Sequence, residues 1–264
     1  MLVNFKKLQK PKSLFYDENI KYRLFEVLDD SVKKLVKGYQ EIPVAFSGGI
    51  DSSVLTYLVS KYNRPVLFCF GFKNSYDVKN AKKNAGLLNL KLNIIYFDEL
   101  DLKKYLKKTI DILETKNRMV LDLNTPFVIL SEELQKRNYT NIILGQGADE
   151  LFAGYNRYKK TNNLEEDLFQ DIKNIAETNL KYNEQVFNYF GVNIVCPFLE
   201  KEVVELAIKI SPELKIKNSI NKYILREAFK NYLPEEILTQ NKKALQYGSG
   251  IHKAIAKFDK SALI

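Results

Sequence analysis

An alternation constrains this chain more than any other feature. Four short apolar runs, IPVAFS (42–47), PVLFCF (65–70), LNIIYF (92–97) and NIILG (141–145), are separated by stretches of helical period such as Val54, Leu55, Leu58, Val59 and Tyr62. Short apolar runs alternating with helices build βαβ units, whose parallel sheet must be covered on both faces. The pattern predicts an α/β fold: a Rossmann-like parallel sheet of about five strands with helices on both faces, plus a helical C-terminal portion.

Leu24, Leu28, Val32 and Leu35 recur at helical spacing and predict a leading amphipathic helix that ends near Gly38. Thr125 followed by Pro126 predicts a helix starting there and running toward Arg137. After Tyr158 the pattern is mostly helical, with one extended interruption at VNIVCPFL (192–199). Three parts are expected: an N-terminal helical extension over 1–40, an α/β core over 41–160, and a mainly helical part over 161–264. No Gly/Ser linker separates them, so the last part should pack on the core.

The 264 residues, 45% of them hydrophobic, can bury a sizeable core. The net charge of +9 suits an anionic partner, nucleotide or nucleic acid, and suits equally a solvated lysine-rich surface. The N-terminus has no apolar h-region and no run of about eighteen apolar residues occurs, so a soluble cytoplasmic protein without a membrane partner is expected. Cys69 and Cys196 lie in apolar segments without CxxC spacing and read as buried free thiols. His252, the one histidine, lies near the chain end and reads as a surface residue. Without a histidine cluster, chemistry falls to carboxylates, amines, hydroxyls and backbone.

The stretch VAFSGGIDSSVL (44–55) puts bare backbone at the end of the first predicted strand. Gly48 and Gly49 let backbone N–H groups approach an anion, the following helix offers its positive end, and Ser47, Ser52 and Ser53 add hydroxyls. Asp51 beside phosphate would be repulsive without a cation, which suggests Mg²⁺; a plain cap in the first helical turn is the other reading. No Gly-x4-Gly-Lys-Ser/Thr loop occurs. A second loop, LGQGADELFAGY (144–155), follows the fourth strand and brings Asp149 and Glu150. Asp149 is either a turn residue or, with Asp51, a ligand to Mg²⁺ over a triphosphate. Lys222 and Arg226 fall on the polar side of a helical pattern opposite Ile220, Ile224 and Ala228, which alone reads as a solvated face.

SGGIDSS (47–53) followed by GQGADELFAGY (145–155), CPFLEKEVVELA (196–207), NKYILREAFKNYLPEEIL (221–238) and NKKALQYGSG (241–250) resembles the synthetase domain of asparagine synthetase, among the PP-loop ATP pyrophosphatases. The resemblance implies a PP-loop core and an AMP-forming chemistry with ATP and Mg²⁺: a carboxylate is activated as an acyl-adenylate and an amine or ammonia displaces AMP. It implies that Ser47, Gly48, Gly49, Asp51 and Ser52 hold the pyrophosphate portion and that Asp51 and Asp149 ligate Mg²⁺. Phe46 and Phe70 would flank adenine, and Leu144 and Gly145 would line the adenylate. Lys222 would lie beside the α-phosphate, and Lys242 would be a further phosphate contact.

Several positions depart from that family. Its glutaminase domain needs a cysteine directly after the initiator methionine, whereas residue 2 is Leu2 and the loop begins at Ser47, so a stand-alone form without that domain is expected. Free ammonia, a separate ammonia-supplying protein or another amine would then serve. Gln146 stands where the family carries a glutamate, Val195 where it carries an arginine, and Glu200 where it carries an aspartate. A neutral amide at 146 can orient an amine by hydrogen bonds but cannot take its proton, which puts aspartate amination in question. The alternatives are a PP-loop RNA-modifying enzyme, which the basic charge suits but the missing CxxC pair opposes, and a nucleotide-binding protein that has lost turnover.

Overall fold

The computed structural model describes residues 3–240, 251, 254 and 255. After helix α1 (Ile20–Leu35), the order is β1 (Glu41–Ala45), α2 (Ile50–Ser60), β2 (Arg64–Gly71), α3 (Tyr76–Leu87), β3 (Leu92–Tyr96), α4 (Glu99–Leu113), α5 (Arg118–Lys136) and β4 (Asn141–Ile143). Then come α6 (Ala148–Leu151), α7 (Leu164–Asn174), α8 (Asn179–Tyr189), β5 (Asn193–Val195), α9 (Lys201–Ala207) and α10 (Pro212–Lys215). A hairpin of β6 (Ile216–Lys217) and β7 (Ile220–Asn221) leads into α11 (Tyr223–Ala228) and α12 (Glu235–Leu238).

The five long-range strands form one sheet in the order β3-β2-β1-β4-β5, and every pairing in it is parallel. The extended stretch at 193–195 is its edge strand, so residues beyond 160 complete the sheet. Strand alternation divides the side chains between two cores. Ile42, Val44, Leu67, Cys69 and Ile143 pack against α1, α2, α3, α9 and α11, while Phe68, Phe70, Ile142 and Leu144 pack against α4, α5 and α8. Both faces are therefore covered, as the apolar runs predicted.

Helix α1 buries Ile20, Leu24, Leu28 and Val32, one residue per turn or so, which gives it a single apolar stripe. Each fully buried Leu contributes about 2 kcal/mol of apolar transfer. The stripe seats α1 against α2, α9 and α11, and Ser31 Oγ donates to the Pro197 carbonyl at 2.9 Å. The N-terminal segment is tied to the C-terminal part a second time, where Phe15 and Ile210 form a parallel bridge.

The expected helix start at Thr125 is overturned. Helix α5 begins at Arg118, with the Asn117 side chain capping Met119 N and Val120 N, and Pro126 lies inside it. Proline removes one backbone donor mid-helix. The neighbouring side chains turn back on the preceding turn: Thr125 Oγ1 donates to the Leu121 carbonyl and Asn124 Nδ2 to the Val120 carbonyl, each at 2.8 Å. Thr125 is thus a helix-interior residue bonded to the turn before it, not a cap.

Candidate active site

Strands β2 and β3 extend the sheet to one side of β1, and β4 and β5 extend it to the other. The strand order therefore reverses between β1 and β4, and a crevice opens where their following loops diverge, beyond the carboxyl ends of the strands. The loop at 46–49 and the loop at 144–147 are those two loops. Their meeting follows from topology and not from proximity in sequence.

Gly48 has φ +74° and lies against α3, where an added Cβ would come within 2.9 Å of the Asn80 carbonyl oxygen. Two asparagines on α3 hold the loop open: Asn80 Nδ2 donates to the Ser47 carbonyl at 3.0 Å and Asn84 Nδ2 to the Gly48 carbonyl at 2.6 Å. With its carbonyls turned onto α3, the loop leads into the N-terminus of α2, where Gly49 is the cap residue. Ser52 Oγ donates to the Gly49 carbonyl at 3.1 Å and lies 3.4 Å from Ser47 Oγ. Hydroxyls and the helix N-terminus thus gather at one place, as anion binding requires.

Lys222 is not on a solvated helix face. It precedes α11 in a left-handed conformation, φ 57°, and is 2% exposed. The tight β6–β7 hairpin carries it there, and Asn221 Nδ2 pins the hairpin to the Ala153 carbonyl at 2.6 Å. Its ammonium lies 2.6 Å from both carboxylate oxygens of Asp51 and 2.6 Å from Asp149 Oδ1. A buried ammonium is costly alone, and two carboxylates offset that cost. Gly154 makes the approach feasible, since a Cβ there would overlap both Asp149 Oδ1 and Lys222 Cε.

A cavity of about 280 Å³ opens beside this triad. Phe46, Ser47, Gly49, Asp51, Ser52, Phe70, Leu144, Gly145, Gln146 and Asp149 all line it, so most of the positions singled out in the sequence converge. Gly48 and Lys222 stand behind that lining and hold it. Lys242, with Gly248, Ser249, Gly250 and His252, falls outside the described residues. Cys69 also lines the cavity, and burial pushes its thiol up to about 12. Cys196 is half-buried and, like Cys69, free.

Other residues at the site were not legible beforehand. Arg226, one helical turn after Lys222, lines the cavity and donates to the backbone carbonyls of Asn221, Leu238 and Gln240. Burial lowers its pKa and the charge of Asp51 opposes that shift. Tyr155 is held neutral by burial and by the charges of Glu150 and Asp149, and its hydroxyl donates to Glu150 Oε1 at 2.7 Å. The spacing of Lys222 and Arg226 was visible, but a helix face was the wrong frame for it.

The donor set fits magnesium. Mg²⁺ takes oxygen ligands, is held by one or two carboxylates, and completes its shell with water and substrate phosphate. Asp51 and Asp149 are two such carboxylates on one cavity wall beside the hydroxyl of Ser52. Among the described residues no group of three or more His, Cys, Asp or Glu side chains that could hold a metal occurs.

The family model for asparagine synthase matches residues 23–170 and 161–262 of the sequence. The chain belongs to the asparagine synthase family. A protein of Methanocaldococcus jannaschii described as a putative glutamine-hydrolyzing asparagine synthetase is 32% identical over 300 aligned positions, covering 98% of this chain and 55% of that protein. Asparagine synthetase B of Escherichia coli, also glutamine-hydrolyzing, is 27% identical over 87% of this chain and 45% of its own length. The chain thus spans about half the length of the relatives it matches. An NH3-dependent NAD synthetase from Campylobacter jejuni aligns over 83% of this chain and 98% of that one at 17% identity, with a TM-score of 0.38. Among the described residues no helix is long and apolar enough to cross a membrane.

Proposed function

We propose that this chain is an ATP-dependent, AMP-forming amide ligase of asparagine synthetase type. A carboxylate oxygen attacks the α-phosphate of ATP, the bond to the β-phosphate breaks, and pyrophosphate leaves an acyl-adenylate. Ammonia or another amine then forms a C–N bond as the C–O bond to AMP breaks, and one proton is released. The observation that carries this reading is the pairing of Asp51 and Asp149 on the wall of one cavity beside the glycine loop, with Lys222 held against both from behind that wall.

In this reading the loop of Ser47, Gly48, Gly49 and Ser52 holds the pyrophosphate portion through N–H groups and hydroxyls. Phe46 and Phe70 supply apolar contact for the base, and Leu144 and Gly145 bound the adenylate. Asp51 and Asp149 would hold Mg²⁺, which when bound neutralises phosphate charge and orients the leaving group. Lys222 supplies a fixed positive charge toward the phosphoryl group as its negative charge grows. Lys242 is proposed as a further phosphate contact. Aspartate is the first carboxylate to try, because the relatives are named for asparagine.

The test is pyrophosphate release and carboxylate-dependent ATP–pyrophosphate exchange across a panel of amino acids, with and without ammonia. Exchange with one carboxylate supports the ligase. Tight ATP binding without exchange for any of them would make the chain a nucleotide-binding protein without turnover.

A further inference from the structure

Two peptide planes of the glycine loop are held from outside the loop, and that hold decides where its N–H groups point. In a trans peptide the C=O and the following N–H point in opposite directions, and no cis peptide occurs among the described residues. The Ser47 carbonyl accepts from Asn80 Nδ2 at 3.0 Å and the Gly48 carbonyl from Asn84 Nδ2 at 2.6 Å, so the N–H groups of Gly48 and Gly49 are turned away from those side chains. Gly49 N–H accordingly reaches Ser47 Oγ at 3.3 Å, and Ser47, Gly49 and Ser52 line the cavity. Successive N–H groups aimed one way make a nest for an anion.

The two asparagines are themselves held. A carbonyl only accepts, so each asparagine must present its amino group to the loop. That leaves Asn80 Oδ1 in need of a donor and a second Asn84 N–H in need of an acceptor. Gln240, which follows α12, supplies both: its Nε2 donates to Asn80 Oδ1, and its Oε1 accepts from Asn84 Nδ2 at 2.9 Å. A longer contact of 3.4 Å joins the two asparagines, and Gln240 Nε2 also lies 3.2 Å from the Tyr76 hydroxyl. A glutamate at 240 would bring no donor for Asn80 and a lysine no acceptor for Asn84, whereas a side-chain amide answers both. The Gln240 carbonyl in turn accepts from Arg226 Nη2 at 3.1 Å. Asn84 is 1% exposed, and Asn80, Arg226 and Gln240 line the cavity.

We propose, resting on the ligase reading above, that Gln240 is a positioning residue for the leaving pyrophosphate. It acts through Asn80 and Asn84, holding the peptides after Ser47 and Gly48 with their N–H groups turned toward the anion. Arg226 carries Gln240 from α11, the helix that begins directly after Lys222. The grip on the pyrophosphate and the positive charge against Asp51 and Asp149 are therefore set by one short stretch of chain, 222–240.

The experiment titrates the full chain calorimetrically with inorganic pyrophosphate and Mg²⁺, and separately with AMP, since neither needs turnover. Gln240→Met, at a half-buried position, is expected to raise the pyrophosphate Kd at least about fivefold, the scale of one or two lost hydrogen bonds, while the AMP Kd stays within about twofold. Unchanged pyrophosphate affinity, or equal weakening for both ligands, overturns the proposal. Groups that act through one contact are non-additive, so in an Asn84→Ala background Gln240→Met should raise the pyrophosphate Kd by less than about twofold further. Full additivity overturns the route through the asparagines. If Asn84→Ala does not fold, Asn80→Ala at the half-buried end of the pair gives the same comparison. Carboxylate-dependent ATP–pyrophosphate exchange in the parent protein is read apart from these titrations: its absence removes the ligase reading, while the pyrophosphate titrations still decide the role of Gln240.

Discussion

Lys222 places its ammonium 2.6 Å from each carboxylate oxygen of Asp51, across 171 residues of sequence. Asp149 completes the arrangement from the far side of the strand-order reversal. Replacing either aspartate by asparagine should lower Mg²⁺-dependent pyrophosphate release at least about 100-fold, because the amide loses the charge that attracts the ion. Breaking the buried pair should also destabilise the fold by about 3 kcal/mol, since the other charge stays behind. Enzyme assays and urea denaturation of Asp51→Asn and Asp149→Asn check both, and undiminished turnover in the two variants would falsify the site assignment.

The close approach at Gly154 gives a prediction about space instead of charge. Gly154→Ala puts a methyl group where the Asp149 carboxylate and the Lys222 side chain meet, so that one of the two paired side chains must shift. Pyrophosphate release should fall at least about tenfold and ATP binding should weaken, in keeping with overpacking costs of about 1–3 kcal/mol. Calorimetric titration with ATP and a thermal melt measure the two effects, and parent-like affinity in a folded variant would count against the packing described.

Glu132 predicts an acid limb of stability. Burial alone would raise its carboxyl, but hydrogen bonds from Lys108, Tyr105 and Lys136 outweigh that and hold it down at about 2. A depressed carboxyl contributes stability that is full above its unfolded value near 4.5 and is lost as pH falls through its folded value. The Tm difference between the parent and Glu132→Gln should therefore shrink as pH falls from about 5 to about 2. Melts across that range decide it, and a constant difference would contradict the linkage.

Lys215 works in the opposite direction. Its side chain is buried on α10, and burial lowers the amine to about 7, with only partial opposition from Glu165. The unfolded chain binds that proton up to about pH 10 and the folded chain releases it earlier, so stability rises with pH between those values. Lys215→Met should accordingly be more stable than the parent at pH 6, with the advantage fading toward about pH 10. Denaturation at the two pH values is the check, and a variant no more stable at pH 6 than the parent would rule the effect out.

Strands and their order of appearance were legible because an apolar run buried on both faces has few other outcomes, and β1 through β4 lie where their runs lie. The Asp51 and Asp149 loops were legible for the same reason, since each follows a strand end. Thr125 and Pro126 misled because the cap pattern is local, while α5 draws its length from burying Leu121, Val128 and Leu134 on both sides of the proline. Lys222 misled for a related reason. Its left-handed backbone, like that of Ala153 facing it, is imposed by the β6–β7 hairpin and leaves no trace in hydrophobic period. The contact of Gln240 with Asn80 and Asn84 was invisible in sequence, because amides about 160 residues apart become neighbours only after the segment following α12 has packed on α3.

The hairpin that delivers Lys222 comes after every strand of the main sheet. Without residues 216–222 the sheet would still bring Asp51 and Asp149 to one cavity wall, but the Lys222 ammonium that lies 2.6 Å from each would be missing, and like charges so placed push apart. The order of that wall thus depends on a short hairpin that follows the whole sheet in sequence.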